Sequence, residues 1–304
     1  MTFLTRRRFL QGVGAATLAG GGLIAYGGAE AESALALTSY ELTPPLWPPE
    51  LELKIAVIAD IHACYPWMSD ERIGDIVALT NAQKPDLTVI LGDFVCTHEF
   101  VSGYVPPGAW AEQLAKLEAP LGVYTILGNH DWGSAAIPTR APDGSESIRR
   151  TLAQARIPLL ENQAVRLWQG RRPFWLVGLG DQLARRPGRD SLFHMDDLPG
   201  ALRHVTDNAP VILLAHEPYI FDSVPDRVAL TLCGHMHGGQ INLPLIGSPF
   251  LRGGPRFRKY VYGVYQEGRR TLVLSGGLGT SFVPLRIGRP PEVVMLKLGG
   301  APAA

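Results

Sequence analysis

The sequence predicts an α/β protein in which two β-sheets pack as a sandwich with helices on the outside. Three observations carry that expectation. Short β-branched runs alternate with segments of helical spacing through the first half, a pattern that builds largely parallel sheets with helices on their faces. The second half holds more strand-like runs than helices, enough for a second sheet. At 304 residues, 46% hydrophobic and 18% charged, the chain has the composition of a globular protein with a full core, and residues 51–304 read as one domain.

The elements follow in order. Leu53–Ala59 is a β-branched run ending at Asp60. Asp70–Gln83 carries Ile73, Ile76, Val77 and Leu79 at helical spacing. Leu87–Leu91 is a strand ending at Gly92-Asp93, Ala109–Leu117 is helical, and Gly122–Leu127 is a strand ending at Gly128-Asn129-His130. Ser147–Arg156 is a further helix. Strands are then expected at Phe174–Gly178, Val211–Ala215, Val228–Cys233, Tyr260–Tyr265, Thr271–Ser275 and Val293–Leu298. Gln266 to Arg270, with Gly268, reads as a hairpin loop between two of them.

The N-terminus is a separate unit. Thr5-Arg6-Arg7-Arg8-Phe9-Leu10 is followed by Gln11 to Ala29 without a charge, and Ala29-Glu30-Ala31 offers a small-x-small cleavage site. This resembles a twin-arginine (Tat) export signal over residues 1–31. An ordinary Sec signal or a membrane anchor is the competing reading, the anchor weakened by seven glycines among those 19 residues. Residues 32–50, with Pro44, Pro45, Pro48 and Pro49, read as a Pro-rich linker. The signal implies the Tat machinery as a partner and a location in the periplasm or on the outer face of the cytoplasmic membrane, with peripheral membrane association possible. Formal net charge is zero, so no overall basic field draws nucleic acid. Arg150, Arg171–Arg172, Arg185–Arg186 and Arg269–Arg270 read as solvated surface charge.

Chemistry concentrates at the strand ends. Asp60-Ile61-His62, Gly92-Asp93, Gly128-Asn129-His130-Asp131, His216 and Gly234-His235-Met236-His237 occur in that order, and five of the eight histidines fall within them. Ligand crevices of open α/β sheets lie beyond the carboxyl ends of the strands, so these residues converge if their strands are neighbours. Mixed Asp, Asn and His donors suit a pair of first-row divalent metals, Mn, Fe or Zn, better than Ca or Mg. Two such ions about 3.5–4 Å apart neutralise a phosphate ester and supply hydroxide near neutral pH. Cys64, Cys96 and Cys233 lack the spacing of a structural zinc site; Cys64 and Cys96 either bridge or pack as buried thiols.

Together these motifs resemble those of the calcineurin-like metallophosphoesterases. His235-Met236-His237-Gly238-Gly239-Gln240, Gly277-Leu278-Gly279 and Pro291-Glu292-Val293-Val294 are similar to the bacterial YkuE/YaeI-type branch, which includes Tat-exported members. The resemblance covers roughly Leu53 to Leu298. It implies a four-layer α/β/β/α sandwich of two mixed sheets flanked by helices. It also implies one metal held by Asp60, His62 and His237, another by Asn129, His216 and His235, and Asp93 bridging them. His130 is then a catalytic general acid rather than a ligand, and a metal-bridging hydroxide attacks phosphorus. Asp131 either orients His130 or closes the turn. Protein phosphatases of this superfamily carry Asp-Arg-Gly after the bridging aspartate; here Phe94-Val95-Cys96-Thr97 stands instead, with Cys96 at the acid's position.

The function expected is an exported dinuclear phosphoesterase acting on phosphodiesters or pyrophosphate-linked substrates, small molecules or lipid and envelope phosphoesters. A UDP-acylsugar pyrophosphatase of the lipid A pathway is an alternative, disfavoured by the export signal. The other alternative is a non-catalytic metal-binding protein on the same fold. Trp67, Phe100, Tyr104, Trp110 and Trp132 either line a substrate wall or pack as core and rim.

Overall fold

The computed structural model describes residues 6–132, 145–185, 192–251 and 254–300. Thr5 of the basic motif, Arg186, and residues 301–304 of the expected domain lie outside them. Strands and helices are numbered in chain order. The first sheet runs, in spatial order, β1 (Ala36–Leu42), β15 (Glu292–Leu298), β2 (Leu53–Ile58), β4 (Leu87–Ile90) and β6 (Val123–Thr125). The second runs β13 (Gly263–Glu267), β14 (Arg270–Leu274), β12 (Leu230–Cys233), β11 (Val211–Leu214), β8 (Arg172–Gly178) and β7 (Gln163–Gln169). Both are mixed: β15 pairs antiparallel with β2 in the first, and β7 and β13 pair antiparallel with their neighbours in the second. Two short pairs, β3 (Cys64–Tyr65) with β5 (Gly103–Tyr104) and β9 (Ala184–Arg185) with β10 (Leu192–Phe193), decorate the loops.

The period-2 alternation of the strands sorts side chains into layers. Leu53, Ile55 and Val57 of β2 point between the sheets, where they meet Phe174, Leu176, Ile212, Leu214, Leu230 and Leu232. Ala56 and Ile58 point the other way, onto α2 (Asp70–Ala82), α3 (Pro107–Leu114) and α4 (Glu146–Gln154), through Ile73, Ile76, Trp110 and Leu152. The outer face of the second sheet carries Val177, Val211, Leu213 and Leu272 against α5 (Leu198–Arg203) and Phe221. The order helix, sheet, sheet, helix is the expected four-layer sandwich. Helix α2 starts where the sequence provides a cap: the Ser69 hydroxyl accepts from Arg72 N at 3.3 Å, and Asp70 and Glu71 occupy the positive end of the helix dipole.

Two expectations are corrected and one strand is added. The Pro-rich segment 32–50 is not a linker. Residues 36–42 form β1, parallel to β15 over seven residue pairs, and Trp47 is buried with its indole N–H donating to Leu51 O at 2.7 Å. The domain therefore begins well before residue 51. The hairpin is shifted: β13 starts at Gly263, whose φ of +89° turns the chain there, and pairs with β14 around Gly268 at φ +60°. Edge strand β7 carries no expectation at all, because its alternation of exposed and half-buried residues leaves no fully apolar face.

Residues Arg6–Ser33 form one helix, α1, running through the expected cleavage point. Its last turn is docked. Arg286 N donates to Gly27 O, and the buried Glu30 carboxylate accepts from Gly288 N at 3.2 Å and Arg289 N at 2.8 Å. No described helix is long and apolar enough to cross a membrane.

Candidate metal centre

The loops leaving β2, β4, β6, β11, β12 and β14 meet at one end of the sandwich. The backbone there is bent unusually. Asp60, His62, Asp93, His235 and His237 all have positive φ, between +48° and +72°. That is a sparsely populated region for residues with a Cβ, and it persists only where surroundings over-determine it. The surroundings are on hand. His62 N donates to Asp93 O at 2.9 Å, and His235 N donates to Asp60 Oδ1 at 2.8 Å. Gly234 and Gly277 let the chain pass Asp60 so closely that an added Cβ would lie 2.9 and 2.6 Å from Oδ2.

These bends bring seven expected ligands together. Asp60, His62, Asp93 and His237 have donor atoms within 4.8 Å of one another, as do Asp93, His216 and His235. Asp93 belongs to both groups. Its Oδ2 lies 3.5 Å from His62 Nε2 and 3.1 Å from His216 Nε2, the latter without hydrogen-bond alignment. Asn129 joins the second group, its Oδ1 2.9 Å from His235 Nδ1. His62 Nδ1 faces Val95 O at 2.9 Å and His216 Nδ1 faces Leu91 O at 2.6 Å. Those carbonyls can only accept, so each Nδ1 carries a proton and each Nε2 is the atom turned inward, a metal donor once it is unprotonated.

The donor set fits divalent cations. Asp60 Oδ2, Asp93 Oδ2 and His216 Nε2 are buried with no hydrogen-bond partner, which a bound ion would supply and which otherwise costs stability. Burial lowers His62 and His235 to about 4, so both are neutral donors at neutral pH. Burial, then His62 and Arg286, also lower His237. Burial raises the Asp60 carboxyl. Burial opposes charge on Asp93 as well, but His216, His130 and His62 overcome it and hold that carboxyl well below its ordinary range.

His130 lies beside this set rather than within it. Half-buried, its ring stands edge-on to His62 with centroids 4.8 Å apart, and its Nδ1 contacts the Thr97 hydroxyl. Thr97, not Cys96, is therefore the side chain that meets His130; Cys96 turns inward and is fully buried. Asp131 closes the turn. Its Oδ2 accepts from Asp93 N and Gly128 N, both at 2.9 Å, and its Oδ1 accepts from Phe94 N at 2.8 Å and Val95 N at 3.3 Å. Every facing group is a donor, so the carboxylate is the form this position accommodates, although burial and Asp93 push it up.

Two further residues have no sequence signal. Arg286 is fully buried, donates to Gly276 O, Gly279 O and Arg289 O, and places its guanidinium 3.3 Å from His237 Nδ1. Tyr219 stands edge-on to His235 at 5.6 Å and to Phe257 at 4.7 Å, an aromatic wall beside the second ligand group. Of the aromatic residues expected near the site, Trp110 is core, stacked on Phe94 at 4.7 Å, and Trp132 is buried under Arg149.

The family model for calcineurin-like phosphoesterases matches residues 53–239, the stretch that carries every residue above from Asp60 to His237. The chain belongs to that family. It is 32% identical over 253 residues to "Phosphodiesterase YaeI" of Escherichia coli, covering 81% of this chain and 82% of that protein. It is 29% identical over 310 residues to "Uncharacterized metallophosphoesterase YkuE" of Bacillus subtilis, covering 98% and 99%. A zebrafish "Transmembrane protein with metallophosphoesterase domain" is 30% identical over 257 residues, 81% of this chain and 53% of its own length. The chain is a metal-dependent phosphoric ester hydrolase.

Proposed function

We propose that this hydrolase cleaves phosphodiesters, or the phosphoanhydride of pyrophosphate-linked substrates, at a dinuclear centre. The observation that carries the reading is Asp93, shared by two ligand groups and aimed with one unpartnered oxygen at both. One ion is assigned to Asp60, His62 and His237, the other to Asn129, His216 and His235, with Asp93 between them; Mn, Fe and Zn all suit such donors. Bound there, the ions neutralise phosphate oxygens and supply hydroxide near neutral pH.

The remaining chemistry belongs to the chain. His130 is assigned the general acid that protonates the leaving oxygen. The Thr97 hydroxyl contacts Nδ1 and so orients the ring beside His62. Asp131 holds the Asp93 and Asn129–His130 loops in register by four hydrogen bonds. Tyr219 and Phe257 offer an apolar wall to the group esterified beyond phosphorus. The intact ligand set favours this reading over a non-catalytic metal-binding protein.

Export by the Tat route and action outside the cytoplasm are part of the proposal, supported by the basic N-terminal motif and the uncharged segment after it. A lipid or envelope phosphoester is the favoured substrate. Leu245, Ile246 and Phe250 are exposed on the loop that follows His237, and Leu18 and Ile24 are exposed on α1, which suits contact with a membrane surface. With Mn²⁺, bis-p-nitrophenyl phosphate is expected to turn over faster than p-nitrophenyl phosphate. Preference for the monoester sinks the diesterase reading while leaving the family intact.

A further inference from the structure

Behind the dinuclear centre lies a second cluster of metal-ligating atoms that the reaction does not use. Cys64 follows His62 by two residues and Cys96 follows Asp93 by three. The bridge between Ala63 and Val95 brings these two loops side by side, and β3 pairs with β5 just beyond. His98 completes the group: one donor atom from each of Cys64, Cys96 and His98 lies within 4.8 Å of the others. All three are buried, at 1%, 0% and 6% exposure. The His98 ring is held from its far side, with Nε2 3.2 Å from the Thr280 hydroxyl, while its Nδ1 is buried without a hydrogen-bond partner.

We propose that Cys64, Cys96 and His98 form a third metal site, specific for one thiophilic d¹⁰ cation, Zn²⁺ or Cu⁺. Two sulfurs and one imidazole are the donors such ions select, whereas the oxygen-rich dinuclear set suits harder ones. A cation accounts for all three side chains at once: both thiols release their protons to solvent on binding, and His98 Nδ1 gains the partner it lacks. A Cys64–Cys96 disulfide accounts for the two sulfurs only and leaves Nδ1 unpartnered. The role that follows from position is a clamp. The cation ties the loop after β2 to the loop after β4, and through Thr280 reaches the loop after β14. These loops carry His62, Asp93 and Gly277, one of the two glycines that pass Asp60.

Spectroscopy separates this site from the dinuclear centre, because only thiolate ligation gives intense near-ultraviolet ligand-to-metal absorption. The full chain, reduced and stripped with chelator, is titrated with Co²⁺ and in parallel with Cu⁺. The proposal expects a charge-transfer band whose final intensity corresponds to one thiolate-bound ion per chain, reached with Co²⁺ by three equivalents because the dinuclear centre takes up two. Cys64→Ser and Cys96→Ser each abolish it, while Cys233→Ser, a buried thiol facing Glu217 O, leaves it unchanged. Bleaching of the cobalt band by stoichiometric Zn²⁺, or a band with Cu⁺ only, tells the two ions apart. Absence of any band with either ion in the wild-type chain overturns the proposal without recourse to variants. So does a Cys64–Cys96 disulfide found by intact mass in protein purified from its native compartment, or a band that survives both serine substitutions. Hydrolysis of a diester by chain loaded only with Mn²⁺ bears on the dinuclear centre and not on this site, so the two can fail separately.

Discussion

Replacing Asp131 with asparagine probes the frame of the centre without touching a ligand. The wild-type carboxylate divides its work evenly: Oδ2 accepts from Asp93 N and Gly128 N, and Oδ1 from Phe94 N and Val95 N. An asparagine of the same shape keeps one oxygen and turns an NH₂ toward the other two donors. Two backbone N–H groups then lose their acceptor and a donor faces donors. At about 1–3 kcal/mol for each buried unsatisfied group, the substitution costs about 2–6 kcal/mol. For a domain of this size that lowers Tm by roughly 5–20 °C. The loops carrying Asp93 and Asn129 also lose register, so metal affinity falls with stability. Thermal unfolding followed by circular dichroism, with metal content measured on the same samples, reads both effects. An Asp131→Asn protein that melts with the wild type and holds the same metal refutes the role given to this carboxylate.

Other expectations concern the reaction itself. His130→Ala should lower kcat on a diester by about 10²–10⁴-fold, with metal content unchanged, because the ring stands outside both ligand groups. Equal loss of metal would instead make His130 a ligand. Thr97→Val should lower kcat roughly tenfold, about the 1.4 kcal/mol of one hydrogen bond, and Thr97→Ser should restore it; a valine variant of full activity removes Thr97 from the account. Metal affinity should rise with pH across neutrality. Burial raises the Asp60 carboxyl, while Asp93 raises His216 against its burial. Both groups hold protons in the metal-free chain that ligation must displace. Affinity is therefore lost as pH falls through the raised values, about tenfold per pH unit for each proton released. Calorimetry in buffers of different ionisation enthalpy counts those protons, and a pH-independent affinity with no proton release contradicts the assignment.

Much of the site was legible because its residues end apolar runs. Asp60, Asp93, Asn129, His216 and His235 each follow a strand within a few residues, and parallel neighbours carry such ends to one place. Thr97 and Arg286 were not legible. A threonine next to a cysteine has no signature, and Arg286 reaches His237 across 49 residues of sequence. The two missed strands of the main sheets, β1 and β7, lie at sheet edges with half-exposed alternation. In β1 the neighbouring prolines further suggested a linker, although the parallel ladder with β15 decides otherwise. The docking of Glu30 on Gly288 and Arg289 depends on tertiary contact alone.

The central claim is that two ions held around Asp93 are needed for hydrolysis. Chelator-stripped protein, titrated with Mn²⁺ while bis-p-nitrophenyl phosphate turnover is followed, tests it most directly. Activity should be absent in stripped protein, saturate at two equivalents per chain, and fail to return in Asp93→Ala at any Mn²⁺ concentration that saturates the wild type. Turnover by the stripped chain, full activity at one equivalent, or rescue of the Asp93 variant would contradict it.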